Sequence, residues 1–585
     1  MYVPTFFKIK LSKGYVMKRF NWARTKKSIK RHFTPKIVEI FRKKYTLKEF
    51  KRDCIAALTV SVVSIPLAMA LAIASGVEPA QGLYTAVIAG FLTALLGGSR
   101  YQIGGPTGAF VIVIFGIVHQ YGYPALLTTM IMAGLILMIA GFFRFGTYIK
   151  YIPYPVVVGF TAGIGVILIS TQIKDLFGLT IVDVPAAFLP KWESYITHLN
   201  TTNLYAVLIT VVSAVLIFGF KKFFPKSPYY LIGVIGATVL VVVFGLPVDT
   251  IGSKFGSLPH FLPKPQWNVF DASLIFKMLP SALTIAFLAG VESLLSAKVV
   301  DGMSGDNHNS NVELVAQGIA NIGTAFFSGI PATGAIARTA TNFKANAYSP
   351  VSGIMQSVFL LTFMVALASV AQYIPLACLS VVLILIGWNM LGLDKIYQVM
   401  GAQAGDRNVL IVTFLLTVFV DLNTAISVGF MMATIIFMHR MSHEIAIETE
   451  DKMSREIFGG ESLPENLTEK GVIALRVSGP LFFGGVNEIA HFFNQLRTKP
   501  KILILRMGQV PLVDASGANL IVEFIKKLEM NHTKIILCNI KKQPRRVLHN
   551  TFLREHLDWH TISTASNYQN AVKMAKRCLR QMKKD

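Results

Sequence analysis

The chain has 585 residues, 53% hydrophobic and only 15% charged, with a mean hydropathy of +0.55. Ordinary soluble domains carry about 25% charged residues. The composition therefore excludes an ordinary soluble domain and defines a polytopic α-helical membrane protein, whose apolar runs approach the ~20 residues a spanning helix needs.

The net charge of +25 is unevenly placed. Residues 1–50 hold fifteen Lys/Arg against Glu39 and Glu49. This stretch lacks the apolar run of a signal peptide and reads as a basic cytoplasmic arm facing anionic lipid rather than nucleic acid. Residues 51–440 form the membrane region. Its apolar segments are 52–74, 82–97, 105–119, 124–143, 154–173, 203–220 and 228–246, then 273–299, 313–328, 333–346, 350–371, 376–391, 408–423 and 425–440. Seven plus seven spans, an odd repeat unit, invert the second half relative to the first. Arg100, Arg144, Lys150, Lys221, Lys222, Lys226 and Arg440 follow even-numbered segments, whereas 174–202 carries Asp175, Asp183 and Glu193 against Lys174 and Lys191. By the positive-inside rule both termini lie in the cytoplasm. Cys54, Cys378, Cys538 and Cys578 make no CxxC pair, so no disulfide framework, metal site or cofactor is implied.

Two of the apolar segments are broken in the same way. Gly105-Pro106-Thr107-Gly108-Ala109 and Pro331-Ala332-Thr333-Gly334-Ala335 share a Thr-Gly-Ala core 226 positions apart. Broken backbone is tolerated in hydrocarbon only around a protein-lined cavity, and matched Gly/Pro interruptions in two halves point to a transporter's binding site. Half-helices starting near Thr107 and Gly334 would aim free N–H groups and the positive ends of their dipoles at a small anionic substrate; close helix packing through the glycines is the alternative. Arg338 lies one turn past Gly334 and either adds positive potential to that site or snorkels to the membrane edge. Glu292, in the middle of a long apolar span, carries a proton, helps bind Na+ together with Ser296 one turn along, or serves as a structural partner. Helix–helix hydrogen bonds account for Gln317 and Asn342.

Residues 441–470 are polar and read as a linker. Beyond them, 472–477, 502–505 and 534–538 are strand-like, while 486–497 and 516–531 have helical spacing, giving a small α/β domain over 471–585. Ser516 opens the second helix, where an added phosphate would meet free N–H groups or where its hydroxyl simply caps the helix.

Asp53, Pro66-Leu67-Ala68-Met69-Ala70, Gly82-Leu83-Tyr84, Gly98-Ser99-Arg100, Gly105-Pro106-Thr107, Gly290-Val291-Glu292-Ser293-Leu294 and Ile330 to Thr339 together resemble the SulP anion-transporter family. Val513-Asp514-Ala515-Ser516-Gly517 resembles the loop of STAS domains that carries a phosphorylatable Ser. The resemblance implies fourteen spans in two inverted repeats, divided into core and gate domains, with an elevator-like movement, a homodimer and a cytoplasmic STAS domain open to protein partners. Carried over, it places the anion at Thr107, Gly108, Ala109, Ala335, Ile336, Ala337 and Arg338. Leu67 stands where many members have Gln, and Glu292 with Arg338 leans toward the proton-coupled bacterial branch. The expectation is a non-enzymatic secondary transporter of the bacterial inner membrane, moving dicarboxylate, sulfate or bicarbonate by proton symport. Sodium-coupled bicarbonate transport and an uncoupled anion channel are the alternatives.

Overall fold

The computed structural model describes residues 34–42, 45–147, 153–181, 184–185, 187–224, 229–256, 259–267, 269–449, 463–468, 470–483, 500–530, 532–554 and 562–582. Most of the basic arm, the middle of the expected linker and the helix expected over 486–497 lie outside these residues. The chain divides into two compact units, 1–430 and 431–585.

The first unit is helical. Thr46 and Glu49 form a reciprocal cap, with Glu49 N donating to Thr46 Oγ1 (3.4 Å) and Thr46 N to Glu49 Oε2 (2.6 Å), which closes orphan first-turn donors. They start α1 (Leu47–Ala74) inside the segment read as the arm. There follow α2 (Pro79–Leu96), a two-residue strand β1 (Gly104–Gly105), α3 (Val111–Tyr121), α4 (Tyr123–Phe142), α5 (Tyr154–Thr171), a short amphipathic α6 (Phe188–Thr197), α7 (Leu204–Phe223) and α8 (Tyr229–Phe244). The second half gives α9 (Ile275–Ser304), α10 (Ser310–Phe326), β2 (Thr333–Gly334), α11 (Ile336–Lys344), α12 (Val351–Ala371), α13 (Leu376–Leu391), α14 (Ala404–Phe419) and α15 (Leu422–His443), the last crossing into the second unit. Each of the fourteen apolar segments becomes one of these helices, with α6 additional. Among the described residues eight helices are long and apolar enough to cross a membrane alone, while Gly108–Tyr121, Tyr229–Phe244 and Val351–Ala366 are shorter apolar stretches.

The helices pack in two groups. In one, α1 and α2 pack on α12, α4 on α9 and α10, and α11 on α9 and α1. In the other, α5 packs on α13 and α14, and α7 on α8 and α13. These are the core and gate sets that the resemblance implies. They meet where α1 touches α8 and α13, and where the turn Gly108–Phe110 and α3 touch α5. Burial of small residues such as Ala68, Ala70, Ala86 and Ala377 lets these backbones approach closely.

The second unit is a mixed sheet in the order β3-β4-β5-β6-β7, from β3 (Ala446–Thr449), β4 (Val472–Ser478), β5 (Ile502–Gln509), β6 (Lys534–Cys538) and β7 (Ser563–Ala565). β3 pairs antiparallel with β4 and the rest are parallel, so the segment read as a linker contributes an edge strand. Helices α16 (Ala515–Glu529), α17 (Lys542–Arg554) and α18 (Tyr568–Gln581) accompany the sheet. One face packs around Leu503, Leu505, Ile521 and Ile525, the other around Ile502, Ile504, Ile536 and Ala571, as a parallel sheet with both faces covered requires.

Candidate functional site

The two broken segments meet. β1 and β2 pair antiparallel, Gly104 with Gly334 and Gly105 with Thr333. Each strand feeds a half-helix: Thr107 precedes the turn Gly108–Phe110 that leads into α3, and Ala335 precedes α11. Because the strands are antiparallel, α3 and α11 start at the crossing and run apart. The pairing also corrects the repeat register. Thr333 sits in its strand as a partner of Gly105, and Ala335 rather than Thr333 takes the place of Thr107 as the residue before the helical turn. The matching Thr-Gly-Ala letters are therefore shifted along the true equivalence.

One face of α9 holds both strands. Thr333 Oγ1 donates to the Ala289 carbonyl (2.8 Å), and Thr107 Oγ1 donates to Glu292 Oε2 (2.9 Å). Gln102 Nε2 donates to Ser293 O (3.1 Å) and contacts Ser293 Oγ (3.1 Å), while Ser296 Oγ donates to Gln102 Oε1 (3.2 Å). These positions recur every three or four residues, as one helix face demands. Two glycines are fixed by this packing. A Cβ on Gly334 would overlap Gln102 Nε2, and Gly105, at φ +152°, would set one 2.5 Å from Arg338 Nη1.

Neither half-helix start is closed by a side chain. Thr107 has turned its hydroxyl to Glu292, and Ala335 has none. The first-turn N–H groups around Gly108, Ala109, Ile336 and Ala337 are thus left for a ligand. Arg338 does not snorkel. It is 3% exposed, and its Nη2 donates to the Pro106 carbonyl while Nε and Nη1 have no hydrogen-bond partner among the described residues. Glu292 is partly accessible; Thr107, Gly108, Ala109 and Ala335 are buried, and Ile336 and Ala337 are exposed. Ser296 is buried with its hydroxyl given to Gln102 rather than to the Glu292 carboxylate. Gln317 Nε2 donates to Glu313 Oε1 (3.1 Å) one turn back in its own α10, not across helices as expected, whereas Asn342 Nδ2 donates to Tyr101 O (3.0 Å) and, between α11 and α12, to Ser352 Oγ (2.8 Å).

Glu313 is a fully buried carboxylate that hydropathy hid at a segment edge. It accepts from Gly98 N (3.0 Å), Ser99 N (3.2 Å), Ser293 Oγ (3.1 Å) and Gln317. The Asn309 cap followed by an acid in the first turn was its available signal. In the second unit Ser516 is exposed in the first turn of α16, but the cap is Asp514, which accepts from Gly517 N (2.8 Å). The reading of Ser516 as the cap is thereby overturned.

Broken helices crossing in a bundle of apolar helices define a membrane transporter fold. The sequence model of the sulfate permease family matches residues 50–413, and that of the STAS domain residues 464–569. The YvdB protein of Bacillus subtilis (strain 168), whose name assigns it provisionally to sulfate transport, is 40% identical over 87% of this chain and 95% of its own. The bicarbonate transporter BicA of Picosynechococcus sp. is 26% identical over 90% and 96%. The solved structure of murine Slc26a9, described as an anion transporter, superposes with a TM-score of 0.83 at 18% identity, covering 98% of this chain and all of that one. The chain belongs to the sulfate permease (SulP) family and carries a C-terminal STAS domain.

Proposed function

We propose that the protein is a proton-coupled symporter of a small oxyanion, with sulfate the first substrate to test. The observation that supports this reading most is the buried Arg338 guanidinium, with two unpartnered nitrogens beside two half-helix starts that lack side-chain caps. An oxyanion placed there accepts from main-chain N–H groups of Gly108, Ala109, Ile336 and Ala337 and from Arg338. Such donors are pre-aligned and cost little reorganisation.

Glu292 supplies the coupling. An ionised carboxylate repels an anion at the neighbouring half-helix starts, and a proton on Glu292 relieves the repulsion. Proton and anion therefore favour each other's binding, and the coupling is reciprocal. Engagement of Ser296 by Gln102 weighs against a Na+ site built from Glu292 and Ser296. By the positive-inside rule and the family resemblance, we place the protein in the bacterial inner membrane as a homodimer with both termini cytoplasmic, its core set moving as an elevator against the gate set. Ser516, exposed at the start of α16, is the candidate phosphorylation point, and the STAS domain the candidate surface for a cytoplasmic partner.

The test is radiolabelled uptake in proteoliposomes with an inward proton gradient and no sodium, using sulfate, bicarbonate, fumarate and succinate. Concentrative uptake of one anion is expected. Glu292→Gln should abolish gradient-driven accumulation while sparing exchange of internal for external anion. Uptake that appears only with sodium, or a Glu292→Gln protein that still concentrates its substrate, overturns the proton assignment.

A further inference from the structure

On the face opposite the start of α1, which the proposed topology makes the outer face, α6 is fastened to the gate set. Trp192 Nε1 donates to Ser170 Oγ of α5 (3.3 Å), and the Phe188 ring meets Phe419 of α14 edge-on at 5.5 Å between centroids. Tyr195 is buried with Leu179 and Ile181. From this anchored helix Lys191 points the other way. It is 3% exposed, and its ammonium lies 5.7 Å over the ring centroid of Phe115. Phe115 belongs to α3, about two turns beyond the half-helix start at Gly108, and its ring edge lies against Gly76 just past the end of α1. The contact thus joins the gate set to the half-helix that carries the anion site.

No charged partner among the described residues offsets the ammonium, and burial alone pushes Lys191 down to about 8. The ionisable groups on the elements around it are otherwise engaged or exposed. His119 stacks on Phe115 from α3, Asp175 pairs with Lys254 (3.5 Å), Lys174 donates to the Ile181 carbonyl (2.5 Å), Tyr195 is buried on the same helix and Glu193 is exposed. Asp183 lies outside the described residues. An uncompensated buried charge is costly to keep. A cation–π contact returns only about 0.5–2 kcal/mol.

We propose that Lys191 is an outer docking position for the transported anion, closed over Phe115 when the path is shut on this face and presented to the anion when core and gate sets part. The inference rests on the transport reading above and adds a second, more external contact to it. A small oxyanion is the ligand chemistry: the ammonium offers three donors and one charge, and among the described residues no carboxylate is paired with it to favour a cation.

The experiment compares wild type, Lys191→Met and Lys191→Arg as full chains in proteoliposomes. It measures the external KM for sulfate, with bicarbonate and succinate in parallel, and the melting temperature of each purified protein. Lys191→Met should raise the external KM about tenfold, the loss of one exposed-to-desolvated charge contact of about 1.4 kcal/mol, with little change in maximal exchange and no loss of melting temperature. Lys191→Arg should restore the KM. Raising external pH through about 8 neutralises the wild-type ammonium, so wild-type KM should rise more steeply than that of the Arg variant, which is always charged and keeps only the dependence that Glu292 imposes on both. A Met variant with unchanged KM and a wild-type-like pH profile overturns the docking role, as does a lowered melting temperature with unchanged KM, which marks a structural contact. Wild type that transports none of the anions overturns the transport reading itself and this inference with it, so the two failures are told apart by the wild-type arm.

Discussion

At the residue scale, the site depends on contacts that leave no room for a methyl group. A Cβ at Gly334 would overlap the Gln102 amide, and Gln102 is the side chain that ties β1 to Ser293 and Ser296. Gly334→Ala should therefore displace Gln102 and cost at least tenfold in kcat/KM, with normal insertion and a modest fall in melting temperature; equilibrium exchange of labelled sulfate measures it. Glu292 was legible in the sequence because a lone acid in an apolar run has few bland explanations. Glu313 was not, because it stands next to polar residues at a segment edge and is enclosed by partners distant in the chain, the loop Gly98–Ser99 and Ser293 of α9. Lys191 was counted as one charge in a polar connection; nothing in the letters showed that it would be enclosed.

At the element scale, helix identity was readable and helix ends were not. Hydropathy placed the first span at 52, whereas α1 begins at Leu47 under the Thr46/Glu49 cap, in a charged stretch; the T-x-x-E pattern carried that information. The same charged start contains Asp53, buried and accepting from Tyr45 Oη (2.6 Å), Tyr348 N (2.6 Å), Ser349 N (3.0 Å) and Ser349 Oγ (2.5 Å). It pins α1 to the loop that begins α12. Asp53→Asn removes the charge to which two N–H groups and two hydroxyls donate, and hydrogen bonds to a charged group contribute about 1.5–3 kcal/mol each. The expected outcome is a melting temperature several degrees lower with the substrate KM nearly unchanged, read by thermal unfolding and exchange on one preparation. The misplaced repeat offset has a physical source too. Identical residues were matched by letter, whereas the fold matches them by role, and Ala335 does for α11 what Thr107 does before α3.

At the scale of the whole molecule, the chain holds two units with separate cores. Residues 444–585 bury apolar side chains on both sheet faces and should fold alone as a soluble domain with one cooperative transition. Within that domain Asp514→Ala removes the α16 cap and should cost about 1 kcal/mol, seen as a lower midpoint in chemical denaturation; Ser516→Ala, which removes no cap, should leave it in place. Alternating strands and helices announced this domain. The edge strand at Ala446–Thr449 was missed because a four-residue strand in polar surroundings acquires its identity only from pairing with β4.

The crossing of β1 and β2 has a consequence for how such a protein changes over time. Contact points supplied by peptide bonds are the same in every sequence that keeps the two glycines and the bend, so most side chains around them can drift without altering the site. On the proposed reading, preference among anions is then confined to the few positions where a side chain speaks: Glu292 and Arg338 at the crossing, and Leu67, which the family resemblance brings to the pocket. A library randomised at those three codons alone should reach most of the cargo preferences this scaffold can express, while far larger libraries elsewhere in the membrane region should move expression and leave preference where it was.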